Sequence, residues 1–263
     1  MKNCFFTVST ADHFQYYIPM YVAALRTWSK DKIIVCVRGR VDTDVKSLSD
    51  ADIVEDKYTD YPYNVSTTNA LRFVAGIDGC DNVMITDLDM LIFEDPWHWH
   101  LSQLQGRCFM GHHGPLKKPH RPEICNSWTG DYERVAGGMF MVTRDWWVKT
   151  HLQRTLAAKR LFDGVDGIYR EADEVMLANI IKGSGMDVPH SKYLPARIKG
   201  LHIGDFKFDH RWQNEIKMRD RLHTDNCRTY RQIKSTVDAM RKKSKEIDEI
   251  MGKVETYIAG RVK

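Results

Sequence analysis

Apolar positions along this chain follow two spacings. Cys4-Phe5-Phe6-Thr7-Val8, apolar but for Thr7, and Ile33 to Val37, apolar throughout, are runs of strand length, the pattern of buried strands. Between them Ile18, Tyr21, Val22, Leu25 and Trp28 recur at helical spacing, and Pro19 is compatible with a first helical turn. Asp52-Ile53-Val54 predicts a short strand, Asn69 to Ile77 a helix, and Asn82 to Thr86 a strong strand. Strands separated by helices need crossover connections, so a mainly parallel sheet is expected.

Past Asp95-Pro96-Trp97 the pattern is mixed. Arg107 to Met110 and Gly138 to Val142 read as strands, separated by a long polar loop from Gly111 to Glu133. A loop of that length in a compact domain is usually functional or mobile. Helices are predicted at Asp145 to Lys159 and Glu171 to Lys182. The tail from Tyr230 to Ile258 predicts a charged amphipathic helix, its stripe marked by Ile233, Val237, Met240, Ile247, Ile250, Met251 and Val254.

Composition narrows this picture. At 263 residues, 43% hydrophobic and 28% charged, the chain is that of an ordinary globular protein with room for one large α/β domain. The net charge of +4 is uneven: from Arg211 onward 14 Lys/Arg face 8 Asp/Glu, which leaves about −2 for the rest. Met1 to Phe6 leads into a strand pattern with no secretory leader, and no apolar run approaches the ~20 residues of a membrane helix. Cys4, Cys36, Cys80, Cys108, Cys125 and Cys227 lack paired short spacing, so neither a zinc site nor a disulfide framework is expected. A cytoplasmic setting is the expectation.

Candidate chemistry begins at Asp87-Leu88-Asp89, directly after a buried strand. In an open parallel sheet, ligands bind beyond the carboxyl ends of strands. Two carboxylates there suit a hard divalent cation, Mg²⁺ or Mn²⁺, which in turn bridges nucleotide phosphates. Taken alone, the same triplet also fits a pair of solvated loop aspartates. Leu201 to Lys207 supplies a second group: His202 as a further ligand, Gly204 for close backbone approach, and Lys207 as a point charge on a departing diphosphate. A lone His next to a turn is more often a core residue. Arg72, flanked by apolar Leu71 and Phe73, either reaches toward phosphate or pairs with a buried carboxylate, with Asp87 one such partner. His98-Trp99-His100 follows Pro96 in a helix start, where i and i+2 do not share a face, and reads as packing. His112-His113 and Lys117-Lys118-Pro119-His120-Arg121 fall in the long loop, where positive charge favours a phosphate-bearing acceptor.

In this order the motifs resemble glycosyltransferase family 8. They are Leu71-Arg72-Phe73, Asn82 to Phe93 with its Asp-Leu-Asp core, Gly137 to Val142, Asp173-Glu174, and His202-Ile203-Gly204-Asp205-Phe206-Lys207. The resemblance covers roughly the first 210 residues. It implies a GT-A fold, a nucleotide-sugar donor that is usually UDP-linked, and Mn²⁺ (or Mg²⁺). By the same resemblance Asp87, Asp89 and His202 hold the metal, Lys207 contacts the diphosphate, and Arg72 contacts donor sugar or phosphate. The loop after the first strand, near Ser9-Thr10, would hold the nucleoside. The chain departs from the family at Ala136-Gly137-Gly138, where Asn-Ala-Gly is common, and at Phe208-Asp209, where Pro-Trp is usual. At Ala172-Asp173-Glu174 it departs from an Asp-Gln-Asp run. Asp173 or Glu174 either serves as a base beside the acceptor or binds sugar hydroxyls; a retaining outcome is implied by the resemblance.

The expectation is therefore an α/β protein: a single GT-A-like domain over residues 1–210, with a mainly parallel central sheet flanked by helices, then a basic helical extension over 211–263. The expected activity is metal-dependent transfer of a hexosyl or pentosyl group to an acceptor hydroxyl on a glycan, a glycolipid or modified DNA. Nucleotidyl transfer is the rival enzyme class, but Thr7-Val8-Ser9-Thr10-Ala11 supplies none of the glycine and lysine such a phosphate loop needs. A non-catalytic carbohydrate- or nucleic-acid-binding module leaves the acidic and His set unexplained.

Overall fold

The computed structural model describes residues 1–11, 13–56, 60–61, 65–77, 79–104, 109–115, 133–164, 172–184, 200–202, 238, 241–242 and 245–261. The strands are β1 (Asn3–Thr10), β2 (Lys32–Arg38), β3 (Asp52–Glu55), β4 (Asn82–Thr86), β5 (Met90–Ile92), β6 (Phe109–Pro115), β7 (Glu133–Thr143) and β8 (Gly200–His202). The helices are α1 (Ile18–Arg26), α2 (Thr43–Leu48), α3 (Val65–Val74) and α4 (Trp97–Leu104), followed by α5 (Arg144–Lys149), α6 (His151–Asp163), α7 (Ala172–Gly183) and α8 (Lys245–Ala259). Strand order is β3-β2-β1-β4-β7-β6 in a six-stranded sheet and β5-β8 in a small second one. The chain is thus α/β with a mainly parallel central sheet, as its periodicity predicts. Among the described residues no helix is long and apolar enough to cross a membrane.

The chain folds into two compact units. Unit 1 comprises Met1–Val8, Asp56–Asp87 and Trp99–Leu194. Here β1 runs parallel to β4 from Asn3↔Asn82 to Thr7↔Thr86, and Phe5, Phe6, Val83, Met84 and Ile85 are buried throughout. On the other side of β4 lies antiparallel β7, from Asn82↔Thr143 to Thr86↔Met139, and β6 pairs antiparallel with β7 beyond it. Helix α3 packs on α6, and α7 packs on β7.

Unit 2 comprises Ser9–Glu55, Leu88–His98 and Pro195–Lys263. Every residue of α1 from Ile18 to Leu25 is buried, because the helix packs against β5 and also against α8. A helix apolar on all sides is stable only when covered in this way. From α8, Met251, Val254 and Ile258 are buried, so the expected apolar stripe is used where the structure describes it. Trp28 Nε1 donates to the Ile92 carbonyl at 2.9 Å, and Arg26 Nε to Asp50 Oδ2 at 2.9 Å.

Several boundaries differ from the sequence reading. Helix α3 begins and ends earlier than Asn69 to Ile77, its last turn closed by Ala75 N–H on the Leu71 carbonyl at 3.0 Å, just before Gly76. The helix expected over Asp145 to Lys159 is two helices. Thr150 between them turns its hydroxyl back onto the Trp146 carbonyl at 2.7 Å, a bond that competes with helix continuation. Strand β6 extends to Pro115, so His112 and His113 lie in a strand rather than in the expected loop. The strand extends because β7, distant in sequence, supplies a pairing partner, with a register shift between Gly111 and His113. The tail before residue 238, including Tyr230, and the loop residues Lys117 to Arg121 lie outside the described residues.

Candidate active site

Unit 1 brings three sequence-predicted residues together. Asp87 follows β4 immediately; its N–H donates to the Gly138 carbonyl at 2.8 Å, which fixes the first residue beyond the strand. Arg72 lies in the last turn of α3 between buried Leu71 and Phe73, and is itself only 6% exposed. Its Nη2 donates to Asp87 Oδ1, and its Nη1 donates to Asp173 Oδ2 at 3.1 Å. Asp173 stands in the first turn of α7 and is 5% exposed. One guanidinium thus bridges two carboxylates from different elements, the use for which arginine's rigid fork is suited. Of the two fates the sequence left open for Arg72, the structure shows pairing with buried carboxylate.

The electrostatics follow from burial. Burial works against the Arg72 charge, but Asp87 and Asp173 outweigh it and hold the guanidinium above its ordinary pKa. Burial pushes the Asp173 carboxyl up, Arg72 pulls it back, and the Asp87 charge pushes it up again. A hydrogen bond from Asn69 also favours the Asp173 carboxylate. Asn69 and Arg72 are three residues apart on α3 and therefore share a helix face. The sequence signal for Asn69, one polar residue after Ser66-Thr67-Thr68 and one turn before the arginine, is visible only once the arginine's partner is known. Glu174 is half-buried, and its charge adds to the field at Arg72.

Arg154 was not anticipated. It is 2% exposed in α6 and has its guanidinium over the Trp147 ring at 3.5 Å. Its Nη1 donates to the Phe73 carbonyl, Nη2 to the Trp147 carbonyl at 2.6 Å, and Nε to Thr150 Oγ1 at 3.2 Å. Burial lowers its pKa to about 10. A cation on the last carbonyls of α3 complements the negative end of that helix and anchors the turn that carries Arg72.

The remaining predicted residues are placed as follows. Leu88 is buried and Asp89 half-buried, and Asp89 leads directly into β5. In unit 2, β5 pairs antiparallel with β8, with Met90 opposite His202, so the register sets His202 one position from Asp89. Ser9 and Thr10 are buried and form the end of β1 itself, not a following loop; Ser9 Oγ donates to the Thr10 carbonyl at 3.1 Å. Gly204 and Lys207 lie outside the described residues. His98 is exposed at the surface and His100 is buried. Arg241 donates to Asp248 Oδ1 and Glu255 Oε2, both at 2.6 Å, so this cation of the basic extension is engaged within the extension itself.

Half-buried Asp87 and Asp89 at a strand end are the hard oxygen donors that Mn²⁺ or Mg²⁺ requires. Asp87 gives Oδ1 to Arg72, an outer contact of the kind that orients a metal-binding carboxylate. Among the described residues no three His, Cys, Asp or Glu side chains are gathered as a metal cluster. The acids fit a hard cation in kind.

No protein-family model and no curated protein matches the chain. Among solved structures it is similar to an active-site mutant of LgtC, with a TM-score of 0.49 and 12% identity over 68% of this chain and 69% of that one. It is similar also to the galactosyltransferase LgtC crystallised with donor and acceptor sugar analogues, with a TM-score of 0.49 and 14% identity over 71% of this chain and 72% of that one. A third is the glycosyltransferase GlyE of Streptococcus pneumoniae TIGR4, with a TM-score of 0.41 and 11% identity over 70% of this chain and 44% of GlyE. At these scores and identities the likeness assigns neither a role to a residue nor a substrate to the chain.

Proposed function

We propose that the chain is a metal-dependent glycosyltransferase that moves a sugar from a UDP-linked donor to an acceptor hydroxyl. The observation that carries the reading is the Arg72 bridge between Asp87, the first acid of the Asp-Leu-Asp motif, and buried Asp173. A buried guanidinium with a carboxylate on either side is costly to assemble unless every charge is paired, and it holds both acids in fixed orientations. In this reading Asp87, Asp89 and His202 are the metal ligands, with Arg72 orienting Asp87. Mn²⁺ or Mg²⁺, when bound, supplies positive charge for the departing diphosphate. Lys207 adds a second charge on the same group, and Gly204 lets the backbone approach it. Asp173 or Glu174 is assigned in this reading to bind hydroxyls of the sugar or to act as base. Ser9 and Thr10, at the end of β1, border the nucleoside. A retaining outcome is proposed on the resemblance to family 8, and the basic Lys117 to Arg121 segment favours an anionic acceptor, a glycolipid or DNA with hydroxymethylated bases.

Thermal unfolding tests this directly. Mn²⁺ and UDP together should raise the melting temperature more than the sum of their separate effects; UDP at a hundredfold excess over its Kd in Mn²⁺ adds about 2.7 kcal/mol of stability in all. Asp89→Asn should abolish the joint effect and leave the ligand-free chain folded. Retention of full Mn²⁺-dependent UDP binding by Asp89→Asn would overturn the metal assignment.

A further inference from the structure

Three strand ends in unit 2 are tied together by side-chain amide and carboxylate bonds that the activity above does not use. Ala11, the first residue after β1, donates its N–H to the carbonyl of Arg38, the last residue of β2, at 2.8 Å. The carboxyl ends of these two strands therefore lie at one edge, and β3 joins them through its parallel register Val37↔Glu55. Gln15, in the short 3-10 turn His13–Tyr17, is 3% exposed and has both ends of its amide engaged. Its Nε2 donates to the Ala11 carbonyl, and its Oε1 accepts the N–H of Asp42 at 2.8 Å. The neighbouring Val41 N–H donates to Glu55 Oε1 at 2.9 Å, and Lys46 Nζ donates to the same oxygen at 2.7 Å. Gly39, with φ of 101°, provides the left-handed turn that brings the chain from β2 into this arrangement. The orientation of the Gln15 amide is unambiguous, because a carbonyl can only accept and a backbone N–H can only donate.

We infer that Gln15 is a positioning residue for the nucleoside half of the donor site: it locks the turn after β1 against the turn after β2. This rests on the proposed reading that a nucleotide sugar binds at the carboxyl end of β1, where ligands of open parallel sheets are found. Ser9 and Thr10 precede the Ala11 carbonyl that Gln15 holds, so releasing that carbonyl frees the backbone that would border the nucleoside. Glutamine is the residue type this task requires. A carboxylate in its place repels the Ala11 carbonyl, an ammonium has nothing to offer the Asp42 N–H, and an apolar side chain leaves both groups without their partner. The bonds of the brace (Gln15 to Ala11 and Asp42) are backbone contacts of the two turns, so it is expected to act on nucleoside recognition and not on diphosphate or metal.

The test is a binding split measured by calorimetry on the full chain with Mn²⁺ present. UDP and inorganic pyrophosphate are the two probes, applied to the parent, Gln15→Ala and Gln15→Glu. If the bound arrangement of the turns falls to about a tenth of the population, Gln15→Ala binds UDP about tenfold more weakly and pyrophosphate as the parent does. Gln15→Glu keeps the acceptor for Asp42, loses the donor to Ala11, and should show the same split, so the result stands if one variant fails to fold. Equal affinity of parent and both folded variants for UDP overturns the inference alone. An equal loss for UDP and pyrophosphate also overturns it, since that is the signature of general destabilisation. A parent chain that binds neither UDP nor pyrophosphate overturns the proposed function and this inference with it.

Discussion

Replacing Arg72 with methionine keeps the aliphatic stem and removes the charge that two carboxylates share. The two arms of the bridge are unequal. The Asp173 side chain is 6% exposed and that of Asp87 is 30% exposed. Removing one partner of a buried pair costs about 3–5 kcal/mol, because the other charge is left uncompensated. An arm that reaches water is worth about 0–1 kcal/mol. The Asp173 arm therefore dominates, and for a chain of this size the loss corresponds to a fall of about 10 °C in melting temperature, at 2–4 °C for each kcal/mol. Most of this cost is the stranded Asp173 charge, so Arg72→Met combined with Asp173→Asn should recover at least half of it, a coupling of about 2 kcal/mol. The pH dependence has a definite sign. Burial raises the Asp173 pKa, so between its unfolded and folded values the native state holds the extra proton and stability falls as pH rises. Without Arg72 to pull the carboxyl back, that window extends to higher pH. The deficit of Arg72→Met relative to the parent should therefore be smaller at about pH 5 than at about pH 7.5. Differential scanning calorimetry of the four chains of this cycle at both pH values is the assay. An additive cycle, with a deficit that does not change with pH, would refute the reasoning.

Three further outcomes are expected. His202→Ala should weaken Mn²⁺ affinity measured by titration, whereas Lys207→Ala should mainly lower kcat for donor hydrolysis; small, equal losses in both would mark 202–207 as a structural turn. Arg154→Met should lower stability by about 3 kcal/mol in urea unfolding, because the Phe73 and Trp147 carbonyls lose a charged donor, and Arg154→Lys should recover only part of it. Charge reversal at Lys117, Lys118, Lys242 and Lys243 should raise the KM for an anionic acceptor and flatten its salt dependence without changing donor hydrolysis. Salt-insensitive transfer to a neutral acceptor, untouched by those reversals, excludes that acceptor class.

The sequence by itself determined the elements whose burial is written into local composition. The strand-like segments 4–8, 33–37 and 82–86, each mostly apolar, lie in β1, β2 and β4, and the helical recurrence from Ile18 gives α1, because side-chain periodicity is set by each element's own geometry. It also placed Asp87 and Asp89 at a strand end, since the triplet directly follows the last buried residue of β4. Sequence periodicity left open everything fixed by a distant partner. Strand β6 runs on to Pro115, past a register shift between Gly111 and His113, because β7 offers it a ladder on both sides of the shift, and β8 exists as three residues because β5 pairs with it. Arg72 had two readings until the fold brought α7 against it and supplied Asp173, 101 residues away. Gln15 and Arg154 carry no local signal, because a polar side chain in an otherwise apolar stretch does not reveal which backbone groups it will satisfy. Those partners are chosen only when the chain packs, since a buried donor must then find an acceptor at hydrogen-bonding distance wherever in the sequence it lies.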